Sequence, residues 1–250
     1  MRSWVHSAMQ TLFEPRRAGE RWQDEAARVG REVGLPTAVV IGLLTVLGIG
    51  IGLLITGIGA GTVGRVDLDI ARALADGRTA VLDRATGAAT LLADSPTVAL
   101  LWVAAMVYAA RRTRTWQSPV FLLVAIGGEK LTYLFTSLGV GRPRPPVEPL
   151  GEVFSTHSFP SGHVGSAIVL YGGLVLVALW HDGSRSRHLQ SVAVRVGLAT
   201  LVTAITVLVG FSRMYRGHHF LSDVLWGVVL GIAWLVVADR LVLRNGPNGR

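Results

Sequence analysis

Three short stretches of this 250-residue chain hold side chains suited to gripping and transferring an anionic group. The first is Gly141-Arg142-Pro143-Arg144-Pro145-Pro146. Prolines hold its two arginines in a stiff, non-helical turn, and guanidinium groups make forked contacts to phosphate oxygens. The second is Ser158-Phe159-Pro160-Ser161-Gly162-His163, which runs straight into an apolar segment. A Ser-Gly pair at a helix start offers a hydroxyl and free backbone N–H groups at the positive end of the helix dipole. His163 follows within the first turn, where it can deliver a proton. The third is Ser212-Arg213-Met214-Tyr215-Arg216-Gly217-His218-His219-Phe220-Leu221-Ser222-Asp223. His219 and Asp223 are four apart, so on a helical turn they share a face. A carboxylate there takes one imidazole N–H and leaves the other nitrogen free to attack, with Arg213 as a further anion contact.

Each cluster alone has a bland reading. Arginines after an apolar span are often interfacial anchors, and a single histidine near a helix start is more often structural than catalytic. The weight rests on whether the clusters converge, and that depends on the elements that carry them.

Those elements are membrane spans. Half of the residues are hydrophobic and the mean hydropathy is +0.48. The apolar residues come in long blocks rather than at helix or strand period. Leu35 to Gly61 has no charged residue, and such a block fits the ~20 apolar residues needed to cross a bilayer. It lies too far along the chain for a cleaved signal peptide. Further blocks at Pro96–Ala110, Pro119–Val140, Ser161–Trp180, Val192–Phe211 and Asp223–Val242 make six. The second is short and the third carries Glu129 and Lys130. The fold class predicted is all-α, an integral membrane bundle of six transmembrane helices. Thirty glycines suit close packing of such helices.

With six spans, fifteen arginines fall on one side and eight on the other. The positive-inside rule then places both termini in the cytoplasm. The end of the third span, the start of the fourth and the connection from fifth to sixth all turn on the opposite, non-cytoplasmic face. Three clusters far apart in sequence therefore lie at one depth. The formal charge of +8 follows this sorting, so it sets topology and no nucleic-acid partner is expected. There is no cysteine, which excludes disulfides and thiolate chemistry.

Residues 1–34 mix apolar and charged side chains and read as a cytoplasmic amphipathic segment lying on the membrane surface. Residues 35–243 form the membrane domain, with an outer loop at 62–95 whose pattern suggests short amphipathic helices, and residues 244–250 form a cytoplasmic tail. His157 and His218 border the clusters. His181 and His188 belong to a cytoplasmic connection, and His6 to the N-terminal segment.

The chain resembles the type 2 phosphatidic acid phosphatase superfamily, the lipid phosphate phosphatases, whose soluble relatives include vanadium haloperoxidases. The family pattern is K-x6-R-P, then P-S-G-H, then S-R-x5-H-x3-D. Pro160-Ser161-Gly162-His163 matches the second element in full. Ser212-Arg213, His219 and Asp223 match the third, and Arg144-Pro145 ends the first. The resemblance covers residues 94–240. It implies that His219 attacks phosphorus to form a phosphohistidine while Asp223 holds it in register. His163 would protonate the departing lipid oxygen and then activate water. Arg144, Arg213, Ser161 and the Gly162 N–H would stabilise charge on the phosphoryl oxygens. No metal or organic cofactor is implied.

One position departs from the pattern. Seven residues before Arg144 stands Ser137, where the family has lysine. Lys130 lies a further seven residues back, about 10 Å deeper at ~1.5 Å per residue. Helix side chains lean towards the N-terminus, here away from the outer face, so Lys130 is not expected to substitute. Arg142 is the expected replacement charge, with Ser137 as a hydrogen-bond donor. Glu129 and Lys130 are read as a structural pair.

The expected activity is hydrolysis of a lipid phosphate or diphosphate in the plasma (inner) membrane. The resemblance implies polyprenyl diphosphate, phosphatidic acid or phosphatidylglycerol phosphate as substrate. The alternative is a non-catalytic lipid-binding protein that retains the fold, supported by the absent lysine. A haloperoxidase is a further alternative, opposed by the membrane spans. The oligomeric state is not legible in the sequence.

Overall fold

The structure is a computed structural model that describes residues 30–113, 117–153, 156–182 and 191–244. Most of the N-terminal segment, the tail beyond Arg244, His6 and His188 lie outside them. Contacts divide the chain into Met1–Val39 and Val40–Arg250.

The regular elements of the described residues are helices, with a single isolated bridge between Pro143 and His157. A π turn at Gly30–Gly34 leads into α1 (Leu35–Thr56). Two short helices follow, α2 (Val63–Asp76) and α3 (Ala80–Thr90). A turn at Leu91–Ala93 joins α3 to α4 (Ser95–Thr113), and then comes α5 (Gln117–Val140). The fourth apolar block forms α6 (Gly162–Ala167), which passes through a π turn at Ile168–Gly172 into α7 (Gly173–Asp182). Last come α8 (Val192–Tyr215) and α9 (Leu221–Ala238). Among the described residues, six helical segments are long and apolar enough to cross a membrane: Arg31–Thr56, Ala80–Arg111, Gln117–Val140, Gly162–Trp180, Val192–Tyr215 and Leu221–Arg244. The short second block thus belongs to a longer helical run that includes α3.

Apolar side chains such as Leu43, Val46, Leu100, Val207 and Ile232 are exposed on these helices. Exposed apolar faces on long helices whose backbone bonds are internally satisfied are what hydrocarbon accommodates. Interior contacts rest on small residues. A Cβ at Gly128 would run into the ring of Trp234, and one at Gly227 or Gly231 into the backbone of Ser161 or Gly165. Gly227 and Gly231 let α9 approach α6 at backbone distance, in the manner of small-residue membrane interfaces, while Gly128 on α5 makes room for the Trp234 ring. Trp234 is fully buried, and its Nε1 donates to Thr132 Oγ1 at 3.1 Å. Both groups are thereby satisfied away from water.

α3 is stitched to the end of α8. Ser212 Oγ donates to the Thr86 carbonyl at 2.7 Å, and the Tyr215 hydroxyl donates to Asp83 at 2.9 Å while accepting from the Thr79 N–H. α2 packs against α8 and α9. These helices lie at the end of the bundle where α5 stops and α6 starts.

Candidate active site

α5 stops at Gly141, whose φ of 61° lies in the left-handed region that glycine adopts without steric cost. The segment beyond it folds back on itself. The Ser158 N–H donates to the Arg142 carbonyl at 2.8 Å, and Ser158 Oγ donates to the Pro143 carbonyl at 3.0 Å. This brings Ser158-to-His163 against the connection between α8 and α9. That connection turns at Gly217, with φ 75°, and the His218 N–H returns to the Arg213 carbonyl at 3.0 Å.

The three clusters meet around one cavity of about 760 Å³. Among its walls are Lys130, Arg144, Gly162, His163, Arg213 and His219. The structure therefore brings together Arg144, Gly162, His163, Arg213 and His219, with Ser161 and Asp223 packed directly behind them.

His219 is buried, and its Nδ1 lies 2.6 Å from the Ser158 carbonyl. A carbonyl only accepts, so Nδ1 carries the proton and Nε2 keeps its lone pair. Asp223 Oδ2 is further away, 3.7 Å from Nδ1. The tautomer is thus set first by the Ser158 carbonyl, and Asp223 supplies charge beside it. Asp223 is itself locked, since Oδ2 accepts the Phe220 N–H at 2.8 Å and Oδ1 faces Arg142 at 2.6 Å. Burial pushes the His219 pKa below its ordinary value, against the upward pull of Asp223.

His163 Nε2 lies 3.1 Å from Asp94 Oδ1. Asp94 precedes α4 and also lines the cavity. Arg213 donates through Nη1 to Thr90 Oγ1 at 2.9 Å, while its buried Nε has no hydrogen-bond partner among the described residues. Ser161 Oγ and His218 Nδ1 are likewise buried and unpartnered. His218 Nε2 lies 3.1 Å from the Leu150 carbonyl, so Nδ1 is left as an acceptor. Burial, with help from Arg213, pushes the His218 pKa down to about 3. Buried polar atoms are normally paired, so unpartnered ones in and behind one cavity wall mark a place for a polar ligand. Arg144 donates to the His218 carbonyl, and burial lowers its pKa from the usual guanidinium value.

Arg142 does not reach the cavity, which corrects its assignment as a phosphate contact. It is only 6% exposed, and its guanidinium is spent on Asp223, on Asp67 at 2.8 Å and on Ser222 Oγ at 2.7 Å. A forked cation with two buried carboxylates in reach binds those rather than a ligand. Lys130 departs from expectation in the other direction. Its Cβ leans inward as helix geometry demands, but the flexible stem carries the ammonium outwards to the Gly162 carbonyl and Ser166 Oγ. Ser137 is buried and does not line the cavity.

Sequence reasoning missed Asp94, Thr90, Tyr133 and Asp67. Asp67 has the clearest signal: α2 alternates apolar residues with Asp67, Asp69, Arg65 and Arg72, yet Asp67 is buried while its charged neighbours are not. It accepts from Arg142, the Ser222 N–H at 3.0 Å and the Ser222 hydroxyl. Beside it, a shallower groove of about 620 Å³ runs between α2 and α9, past Asp67, Ser222 and Leu225. Among the described residues, no group of three or more His, Asp or Glu side chains converges as metal ligands.

Comparison with known proteins points one way. The model of the PAP2 superfamily matches residues 118–247. Phosphatidylglycerophosphatase B of Bacillus subtilis (strain 168) is 36% identical over 119 residues, 48% of this chain and 55% of its own length. Lipid phosphate phosphatase delta of Arabidopsis thaliana is 26% identical over 115 residues, 41% of this chain and 26% of its own. The chain thus spans about half the length, or less, of these curated relatives. Among solved structures, the transmembrane PAP2 type phosphatidylglycerolphosphate phosphatase from Bacillus subtilis superposes with a TM-score of 0.66 at 26% identity, covering 81% of this chain and 94% of that one. Aquifex aeolicus LpxE shares the fold, with a TM-score of 0.53 at 20% identity over 70% of this chain and 95% of its own.

Proposed function

This chain belongs to the PAP2 superfamily, and from that premise we propose that it is a membrane phosphatase hydrolysing a lipid phosphate or diphosphate through a phosphohistidine. The observation that carries this reading is His219: its Nδ1–H is tied to the Ser158 carbonyl at 2.6 Å, leaving Nε2 as a nucleophile on a cavity lined by Arg144 and Arg213.

The steps balance as follows. Nε2 of His219 forms a bond to phosphorus while the bond from phosphorus to the lipid oxygen breaks, and His163 supplies the proton that this oxygen needs. Water then attacks the phosphohistidine, giving its proton to His163 and releasing orthophosphate and free His219. Throughout, Arg144, Arg213, Ser161 Oγ and the Gly162 N–H hold the negative charge of the phosphoryl oxygens. Asp94 orients His163, since a carboxylate accepts from the ring N–H. Asp223 steadies the charge that develops on His219.

The substrates we propose are phosphatidylglycerol phosphate, phosphatidic acid and polyprenyl diphosphate, presented from the non-cytoplasmic leaflet of the plasma membrane. The arginine asymmetry supports that orientation. The test is phosphate release by the purified protein in detergent across these lipids, with His219→Ala as control. Release that disappears in the control establishes the phosphatase and ranks its lipids. A folded protein that releases nothing from any of them returns the chain to the lipid-binding alternative.

A further inference from the structure

Lys130 is a charged residue well inside the apolar helix α5, a place where charge is costly and is retained for a purpose. It is the only lysine in the chain. Its side chain is 41% exposed, and that exposed part lines the cavity of His163 and His219. Glu129 beside it is fully buried, with its Oε2 3.5 Å from Nζ. Neither Glu129 oxygen has a hydrogen-bond partner among the described residues. The carboxylate therefore acts on Lys130 as a counter-charge rather than as a full hydrogen-bonding partner. The ammonium is steadied by the Gly162 carbonyl at 3.3 Å and by Ser166 Oγ. Gly162 is the first residue of α6 and lines the cavity, so the cation contacts a residue of the proposed anion cradle. The ring of Tyr133, 5.5 Å from Nζ, forms the adjoining wall.

We propose that Lys130 is the phosphoryl-binding cation of the cavity floor, doing from two helical turns deeper what no side chain at position 137 does here. Glu129 and Ser166 are its positioning residues. The reading deepens the proposed phosphatase activity and rests on it for the identity of the ligand. An ammonium with three donors on a flexible stem can turn one N–H to a phosphoryl oxygen while keeping its contacts to Ser166 and Gly162. A substrate so held seats its phosphoryl group towards α5, between Lys130 on one side and Arg144 and Arg213 on the other.

The experiment compares four full-length proteins in detergent: wild type, Lys130→Met, Glu129→Gln/Lys130→Met, and the last with Ser137→Lys added. The double variant removes both charges together, so no buried carboxylate is stranded and thermal unfolding reports an intact fold. Orthophosphate binding by calorimetry and kcat/KM on a lipid phosphate are both read. Loss of a charge-assisted hydrogen bond predicts that the double variant binds orthophosphate about 10- to 100-fold more weakly and loses a similar factor in kcat/KM. Ser137→Lys recovers part of both, because a lysine stem reaches beyond the buried serine position and carries a cation to the α5 side of the cavity. Unchanged orthophosphate binding in a folded double variant overturns the proposal. A wild type that binds orthophosphate through Lys130 but hydrolyses no lipid leaves it standing and removes the phosphatase reading instead. A wild type that neither binds nor hydrolyses overturns both.

Discussion

Arg142 Nη1 lies 2.6 Å from Asp223 Oδ1, inside protein that leaves Asp223 no exposed surface. Its other Nη is held 2.8 Å from Asp67 on α2. The arginine therefore spans from a helix at the end of the bundle to the carboxylate behind His219. Arg142→Met leaves two buried carboxylates without their cation, and breaking a buried pair in this way costs about 3–5 kcal/mol. Both unfolding temperature and phosphate release should fall. Arg142→Lys, which keeps the charge and loses the fork, should retain more of each.

Asp67→Asn separates positioning from substrate contact. Asp67 faces Arg142 and Ser222 and does not line the cavity of His163 and His219. The substitution should lower kcat by about 10-fold, as expected when one charge-assisted hydrogen bond is weakened, and leave KM within a factor of two. A rise in KM with unchanged kcat would place Asp67 in lipid binding instead.

The two histidines should respond differently to the leaving group. Loss of a general acid typically costs about 10²–10⁴-fold, but only where the leaving oxygen needs a proton. His163→Ala should therefore be nearly inactive on lipid phosphates yet release a burst of p-nitrophenol from p-nitrophenyl phosphate, equal to the enzyme present, before the water attack that lacks its base limits turnover. His219→Ala should be inactive on both, since it lacks the atom that attacks. A burst slowed in His163→Ala as much as its cleavage of lipid phosphate would count against its acid role.

Protonation links the site to stability. Burial holds His218 at about 3 and pulls His219 down as well, against an unfolded value of about 6.5. Below about pH 6.5 the unfolded chain takes up protons that the folded chain refuses, so stability falls as pH falls through that window towards 3. Thermal unfolding in detergent should decline between pH 7 and pH 5. His218→Gln should flatten the slope, because one of the two groups that refuse a proton is gone.

The helical membrane architecture was legible because apolar blocks of bilayer length need no tertiary knowledge to be recognised. The shared depth of the three clusters followed from counting those blocks. What the sequence did not show was how far a long side chain travels. Arg142 sits two residues from Arg144 and was expected in the cavity, yet two distant carboxylates claim it. Lys130 leans the wrong way at its Cβ and still arrives through its stem. Asp67 and Asp94 come from outside the three clusters, and only packing brings them to Arg142 and His163. The Ser158 carbonyl was invisible for a different reason: backbone acceptors carry no residue-type signature.

The groove between α2 and α9 opens beside Asp67, on the far side of Arg142 from His219. A small molecule wedged there that draws Asp67 away would slacken Arg142 and, through it, the carboxylate beside His219. Such an inhibitor would never meet the lipid or its phosphate, and raising substrate concentration would not displace it. Its selectivity would depend on the sequence of α2, which lies outside residues 118–247 that define the family match.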